Sequence, residues 1–353
     1  MTDAAPPTHL TDAQRAAGLV ETVGLISGGL DSLLASRLLM EQGFSPTLVA
    51  FVTPFFPPDK ARRAAAALGR PLRLVDLYDD LLPLVKNPPH GWGRNLNPCV
   101  DCHTLMLKKA GELLAAADRP GFLYSGEVVG QRPMSQNPRA LKIVAEGSGR
   151  PGFVLRPLSA QLLPPTEAET RGWVDRERLL GLSGRSRRAQ LDLAAGFGLP
   201  APPSAGGCLL TDPGFSRRFR WLLEQPQGRL DPAWPPARLA EIIKHGRLFT
   251  IAAGPWLVVG RNQADNQRLA ELAGPDDGLA QLEGLPGPLV LAPGLGAPPE
   301  AEALALARSL AAAYGDHGGA AQTLTRAQIV GGEARLEKTA VTAPAAWDHL
   351  HLF

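Results

Sequence analysis

The stretch Ser27-Gly28-Gly29-Leu30-Asp31-Ser32 joins a predicted strand at Thr22–Ile26 to a predicted helix. Two glycines at such a turn let the backbone approach an anion closely, and the N-terminus of the following helix adds N–H donors. Ser27 and Ser32 add hydroxyl groups. Asp31 would repel a phosphate unless a cation lies between them, so a Mg²⁺-linked role is expected. The stretch therefore predicts a phosphate-binding loop.

Strand-like and helix-like segments alternate on both sides of this loop. Strands are predicted at residues 22–26, 47–52, 72–77 and 122–125, and helices at 30–42, 60–68, 102–117, 166–180 and 186–197. Such alternation is typical of βαβ units that form a parallel sheet. We expect an α/β fold with a Rossmann-like parallel sheet, and we interpret Gly126–Gly152 as an irregular active-site segment.

The length of 353 residues predicts more than one domain. We expect a loose lead-in over residues 1–19, a nucleotide-binding domain over 20–225 and a smaller α+β domain over 231–345. The break is assigned to Gln225-Pro226-Gln227-Gly228, and the Pro/Gly/Ala-rich stretch 292–300 is interpreted as a loop.

Composition narrows the class of protein further. Hydrophobic residues make up 44% and the net charge is +2, so bulk charge does not by itself predict a nucleic-acid partner. No apolar run reaches the roughly 18 residues that a transmembrane helix needs. The N-terminus lacks the pattern of a signal peptide, so a cytoplasmic protein without a membrane partner is expected. The three cysteines argue against a disulfide framework.

The phosphate loop resembles the signature of PP-loop enzymes, also called adenine nucleotide α-hydrolases. No G-K-[ST] sequence is present, so the loop is not a Walker A motif. The resemblance implies cleavage of ATP between its α and β phosphates and adenylation of a substrate oxygen. It assigns ATP contacts to Ser27, Gly28, Gly29, Asp31 and Ser32, with Asp31 also catalytic. An ordinary strand-to-helix turn is the alternative.

A second signature lies about 100 residues further along the chain. It comprises Gly126-Glu127-Val128-Val129-Gly130-Gln131, then Ser135-Gln136, then Leu155-Arg156-Pro157-Leu158. It resembles the pattern of ThiI-type tRNA 4-thiouridine synthetases over roughly residues 20–220. The resemblance adds Gly126, Glu127 and Gln131 to the expected cofactor-binding residues. A polar surface loop is the alternative.

Two of the three cysteines form a C-x-x-C pair, Cys99 and Cys102, and Cys208 follows a Gly-Gly pair. Thiolates select zinc or iron–sulfur clusters. The arrangement resembles cluster-dependent tRNA thiolases, including the TtuA group, in which three cysteines imply a [4Fe–4S] centre. The alternatives are persulfide cysteines, as in MnmA-type 2-thiouridylases, zinc with His103 as a fourth ligand, and plain reduced thiols.

The C-terminal region resembles the RNA-binding module of NFACT proteins over roughly residues 235–345. Lys244, Arg247, Arg261 and Asn262 are the expected RNA-binding residues, with Arg268 and Asn266 as further candidates. A turn at Gly260 followed by a capped helix is the alternative. The clusters Arg185–Arg188 and Arg217–Arg220 are interpreted as solvated helix faces.

These patterns together predict ATP-dependent tRNA thiolation, with 4-thiouridine as the favoured product. Cys99, Cys102 and Cys208 are the expected cluster ligands and catalytic groups. No rhodanese or THUMP domain is recognisable, so another tRNA-binding element is expected, and sulfur would come from a cysteine desulfurase or sulfide. Alternatives are 2-thiouridine synthesis, a PP-loop small-molecule ligase and a non-catalytic RNA-binding protein. Whether the chain forms a homodimer stays open.

Overall fold

The computed structural model describes residues 10–201, 207–224, 237–250, 256–294, 299 and 301–351. The chain divides into two compact units, Met1–Thr211 and Asp212–Phe353. The break expected at residues 225–228, most of the 1–19 lead-in and part of the 292–300 loop lie outside the described residues. Within the described part of the chain, no helix is long and apolar enough to cross a membrane.

The first unit is built on a five-stranded sheet. Its strands are β1 (Glu21–Leu25), β2 (Thr47–Val52), β3 (Leu72–Asp76), β4 (Gly121–Tyr124) and β5 (Val154–Leu155). They lie in the order β3-β2-β1-β4-β5, and every neighbouring pair is parallel. The strand order reverses between β1 and β4, and ligands of open α/β sheets bind at the carboxyl ends of strands at such a switch point.

Eight helices of the described residues belong to this unit. They are α1 (Asp12–Ala16), α2 (Leu30–Glu41), α3 (Asp59–Ala67), α4 (Tyr78–Lys86), α5 (Cys99–Ala115), α6 (Pro138–Gly147), α7 (Glu167–Thr170) and α8 (Arg188–Gly196). Two apolar clusters hold them to the sheet. One contains Leu34, Phe122 and Trp173, and the other contains Leu33 and Leu48. The Rossmann-like parallel sheet expected from the sequence is confirmed.

Three local expectations were wrong. The single helix expected over 166–180 is replaced by α7 and a separate 3₁₀ turn at Arg176–Arg178, because Gly172 takes a positive φ of 66° just after α7. The segment expected to be irregular contains α6, which Asn137 caps by accepting a hydrogen bond from the Ala140 N–H at 2.9 Å. Helix α5 begins three residues early, at Cys99.

The second unit contains an antiparallel sheet. Its helices are α9 (Pro213–Glu224), α10 (Ala237–Ile242), α11 (Gln263–Leu272) and α12 (Ala301–Tyr314). Its strands are β6 (Arg247–Thr250), β7 (Trp256–Val259), β8 (Gly278–Leu282), β9 (Val290–Ala292), β10 (Gln322–Ile329) and β11 (Arg335–Ala340), in the order β11-β10-β8-β9-β7-β6. Apolar residues of α12 pack with Phe249, Leu257 and Val290. The expected α+β class is confirmed.

Candidate active site

The phosphate loop lies between the carboxyl end of β1 and the first turn of α2. Gly28 has a φ of 79°, and a Cβ atom there would lie 2.5 Å from Cβ of Lys60. Gly29 precedes α2 and gives it no side-chain cap. The first N–H groups of α2 have no carbonyl partner within the helix, so they and the helix dipole favour an anion. The local geometry therefore suits a phosphate group.

The two serines of the loop are hydrogen-bonded to each other and to the backbone. Their Oγ atoms are 3.3 Å apart, and the Gly29 N–H donates to Ser27 Oγ over 3.3 Å. Ser32 Oγ also donates to the Gly29 carbonyl oxygen at 2.9 Å. These bonds hold both hydroxyl groups at the mouth of the loop before any ligand binds.

Asp31 has one satisfied oxygen and one unsatisfied oxygen. Its Oδ2 accepts a hydrogen bond from Gln131 Nε2 at 2.6 Å, and Gln131 Oε1 accepts one from Gln190 Nε2 at 3.1 Å. Its Oδ1 is buried and finds no hydrogen-bond donor among the described residues. Burial raises the pKa of Asp31, and Gln131 and the charges of Arg187 and Arg132 oppose that rise. An orphaned carboxylate oxygen beside a phosphate loop fits a Mg²⁺ ligand.

Gly126 joins the second signature to the phosphate loop. It follows β4, the neighbour of β1, and a Cβ atom there would lie 2.5 Å from Cα of Ser32. The backbone then turns back on itself, since the Gly130 N–H donates to the Gln136 carbonyl at 2.7 Å. The two signatures therefore meet at the switch point of the sheet.

Glu127 is bound on both carboxylate oxygens by protein groups. Its Oε2 lies 2.9 Å from Arg156 Nε and from Ser125 Oγ, and its Oε1 lies 2.8 Å from His103 Nδ1. Burial opposes ionisation, but Arg156 and His103 outweigh it and lower the pKa of Glu127 to about 2. This buried network connects β4 with α5 and with the Leu155–Leu158 segment. In the structure, Glu127 positions these elements.

The cysteines come together although Cys208 is over a hundred positions from the C-x-x-C pair. Residues 208–211 lie against the loop before α5, since the Leu96 N–H donates to the Leu210 carbonyl at 3.2 Å and Asn95 Nδ2 donates to the Thr211 carbonyl at 2.8 Å. Burial first, then the charges of Cys208 and Cys99, raise the pKa of Cys102. Burial raises the pKa of Cys208 to about 12, and Cys99 adds to that rise.

All three cysteines are free thiols. Among the described residues, no group of three or more His, Cys, Asp or Glu side chains is arranged to hold a metal ion. The nearest histidine of the C-x-x-C segment, His103, already uses Nδ1 to bind Glu127. The structure thus brings the three thiols together near the start of α5.

The segment 131–135 lies between the phosphate loop and the cysteines. Gln131 binds Asp31 at one end, and at the other end Ser135 makes a hydrogen bond to Cys99. Arg132 is an exposed residue of this segment, and its positive charge opposes the rise that burial causes in the pKa of both Asp31 and Cys99. The thiols therefore lie at the same mouth as the phosphate loop.

The RNA-binding residues expected in the second unit make contacts inside that unit. Lys244 Nζ lies 2.7 Å from Glu241 Oε2, Arg261 Nε lies 2.7 Å from Asp265 Oδ2, and the Arg247 guanidinium stacks 5.3 Å from the Tyr314 ring centre. Asn262 caps α11 by accepting a hydrogen bond from the Asp265 N–H at 2.9 Å. Both groups of the Asn266 amide are hydrogen-bonded within the unit, and Arg268 pairs with Glu271.

Sequence reasoning missed Arg132, Arg187 and Gln190 as residues of the site. Arg132 directly follows Gln131, so its position beside the second signature was a usable signal. The signal for Arg187 was the arginine cluster 185–188, which was interpreted as a solvated face. Gln190 carried no signal, because its role depends on the packing of α8 against Gln131.

Comparison with known proteins gives a partial match. No family model matches the chain. It is 30% identical to a tRNA-specific 2-thiouridylase, MnmA, of Deinococcus radiodurans over 141 residues, which cover 35% of this chain and 34% of that protein. It is 33% identical to the same-named protein of Syntrophotalea carbinolica over 138 residues, which cover 35% of this chain and 38% of that protein. The chain is similar to PP-loop tRNA sulfurtransferases.

The chain spans little more than a third of the length of these curated relatives. Among solved structures, a 4-thiouridine synthetase in an RNA complex with bound ATP matches with 30% identity and a TM-score of 0.34, covering 40% of this chain and 37% of that one. The C-terminal part of the fibronectin/fibrinogen-binding protein of Streptococcus suis matches with 16% identity and a TM-score of 0.26, covering 30% of this chain and 49% of that one.

Proposed function

We propose that this protein thiolates a uridine of tRNA in a reaction driven by ATP. The observation that carries the proposal is that the three thiols lie beside the phosphate loop. The short segment Gln131–Ser135 contacts Asp31 of the loop at one end and Cys99 at the other. A phosphate loop alone supports many ligases, whereas adjacent thiols supply a site for sulfur transfer. The similarity to tRNA-specific 2-thiouridylases supports the same activity.

The first step is adenylation of the uridine carbonyl oxygen. That oxygen attacks the α phosphorus of ATP, the bond to the β phosphate breaks, and pyrophosphate leaves with its bonding electrons. Ser27, Ser32 and the N-terminus of α2 bind the phosphates. Asp31 would hold Mg²⁺ through Oδ1, which has no hydrogen-bond partner among the described residues, and the ion would neutralise charge on the phosphates.

The second step replaces the activated oxygen with sulfur. Sulfide attacks the ring carbon, and AMP leaves with the former carbonyl oxygen. Where a cysteine desulfurase supplies the sulfur as a cysteine persulfide, its outer sulfur attacks the ring carbon instead, and a second of the three thiols then attacks the inner sulfur and expels the thiouridine. The two cysteines are left as a disulfide, which an external thiol must reduce before the next cycle. We assign Cys99, Cys102 and Cys208 to the delivery of this sulfur. Three thiolates are the ligand type of a [4Fe–4S] cluster; Cys99, Cys102 and Cys208 would hold it, and it would supply an iron to bind the sulfur atom.

A specific observation favours persulfide cysteines over an iron–sulfur cluster as the sulfur carrier. The curated relatives are named 2-thiouridylases, and this favours 2-thiouridine made by persulfide cysteines over 4-thiouridine made at a cluster. The G-E-x-x-G-Q pattern favours 4-thiouridine. In either form Arg132 contacts phosphate oxygens, because it lies at the mouth beside Asp31.

We also propose that the second unit contacts the tRNA, with an NFACT-like role. Lys244, Arg247 and Arg261 remain the candidate phosphate contacts, and each would exchange its present partner for RNA. Asn262 contributes through its cap on α11.

Purification without oxygen tests the sulfur centre. We expect a brown protein with about four irons per chain, the content of one cubane cluster. Replacing any one of the three cysteines with Ala should remove iron and thiolation and leave ATP binding intact. A colourless, iron-free protein that thiolates tRNA fully would establish the persulfide form. A protein that forms AMP but thiolates no tRNA under either condition would refute the proposed function.

A further inference from the structure

The arginine cluster Arg185–Arg188 lies at the mouth of the phosphate loop. Just before it, Val129 and Ser183 form a parallel β-bridge, and the Gly184 N–H donates to the Val129 carbonyl at 2.8 Å. These contacts fix the start of the cluster to the second signature, two positions before Gln131. The cluster is therefore attached to the active-site segment.

The other end of the cluster is fixed through Gln190. Its side chain is buried and donates to Gln131, which in turn donates to Asp31. Arg187 is half-buried, and its positive charge favours the ionised carboxylate of Asp31, so it opposes the rise that burial causes in the pKa of that group. The cluster is therefore connected at both ends to the residues that surround the phosphate loop.

The two outer arginines have a different environment from Arg187. Arg185 and Arg188 are exposed, and within the described part of the chain no carboxylate forms an ion pair with either. An arginine fork that is not used inside the protein is suited to bidentate contact with phosphate. The target nucleotide must reach the same mouth, so the phosphates that flank it pass close to this surface.

We propose that Arg185 and Arg188 bind the sugar-phosphate backbone of the RNA substrate next to the nucleotide that reacts. This inference rests on the proposed function, since it takes tRNA as the substrate. It places an RNA-binding site on the catalytic unit itself, independent of any contact made by the second unit.

Binding of tRNA to the full chain tests the inference, with Arg185→Gln/Arg188→Gln as the variant. Fluorescence anisotropy of labelled tRNA is measured over a range of salt concentrations, and ATP binding is measured in parallel. Loss of two phosphate contacts should reduce the slope of log K against log [salt] by roughly 1.4 to 1.8. We expect tRNA affinity to fall about tenfold or more at low salt, with ATP affinity unchanged.

Two further variants make the result specific. Arg63→Gln/Arg73→Gln removes the same charge from exposed positions on α3 and on the edge strand β3, and it should leave tRNA affinity near the wild-type value. Arg185→Lys/Arg188→Lys keeps the charge and should restore most of the salt slope.

The inference is overturned if Arg185→Gln/Arg188→Gln binds tRNA with wild-type affinity and salt slope. It is also overturned if that variant loses ATP affinity as strongly as tRNA affinity, because the cluster would then serve ATP. If the wild-type chain binds no tRNA at low salt, the proposed function fails and this inference fails with it.

Discussion

Replacing Glu127 with Gln should destabilise the first unit strongly, although it changes few atoms. The carboxylate is buried and pairs with the buried Arg156, and its pKa is lowered from 4.5 to about 2. A difference of about 2.5 pKa units corresponds to about 3 kcal/mol of folding free energy at pH 7. The loss of one partner from a buried ion pair has a similar cost, about 3–5 kcal/mol.

The assay is thermal unfolding of the wild type and of Glu127→Gln, measured by calorimetry. The quantity compared is the midpoint temperature of the transition that belongs to the first unit. We expect its midpoint to fall by about 6–12 °C, from roughly 2–4 °C per kcal/mol for a domain of this size. Because the pKa of Glu127 is lower in the folded state, its contribution is complete above pH 4.5 and is lost as the pH falls towards 2. The difference between the two proteins should therefore shrink in acid.

Glu146→Gln is the matched control. Glu146 is exposed and lies 3.7 Å from Lys142, so its loss should change stability by less than about 0.5 kcal/mol. The reasoning about the buried network is refuted if Glu127→Gln behaves like this control at neutral pH, or if the difference grows as the pH falls.

Three other changes have defined outcomes. Gly126→Ala places a Cβ 2.5 Å from Cα of Ser32, so calorimetry should show weaker ATP binding and a loss of stability of about 1–3 kcal/mol; unchanged ATP affinity would contradict the contact. Gln131→Leu removes the donor that helps Asp31 ionise, so the acid limb of pyrophosphate release should move to higher pH; an unmoved limb would show that Asp31 need not be ionised. Arg261→Ala should reduce the salt slope of tRNA binding by the amount that corresponds to about one phosphate contact. Asn262→Ala should lower the free energy of unfolding by about 1 kcal/mol without changing that slope, because it removes a helix cap. Equal slopes in both variants would exclude Arg261 as a phosphate contact.

The phosphate loop could be located from sequence because its chemistry is local. A strand, two glycines and a helix start occupy ten consecutive positions, and Gly28 takes the positive φ that such a turn requires. The succession β1, α2, β2, α3, β3, α5 and β4 followed for the same reason, since hydrophobic periodicity is read within each segment, whereas α4 and β5 were not expected. Helix α6 was missed although Asn137 and Pro138 form a recognisable start.

The partners of each side chain could not be predicted, because they depend on packing across distant segments. The sequence predicted that Glu127 contacts a nucleotide but did not show that Arg156, just after β5, and His103 of α5 bind it. Asn262 caps α11, a contact the sequence did not show, and its role in RNA binding stays a prediction. The convergence of Cys208 with the C-x-x-C pair depends on backbone bonds between residues 95–96 and 210–211, which no local pattern reveals.

The most direct measurement is mass spectrometry of nucleosides from tRNA incubated with the protein, ATP, Mg²⁺ and sulfide without oxygen. We expect a thiouridine to form in the same amount as AMP and pyrophosphate, and to be absent with Asp31→Ala and with Cys99→Ala. The mass and retention of the product distinguish 4-thiouridine from 2-thiouridine. Pyrophosphate release that is independent of tRNA, with no thiolated nucleoside, would show that the protein is not a tRNA thiolase.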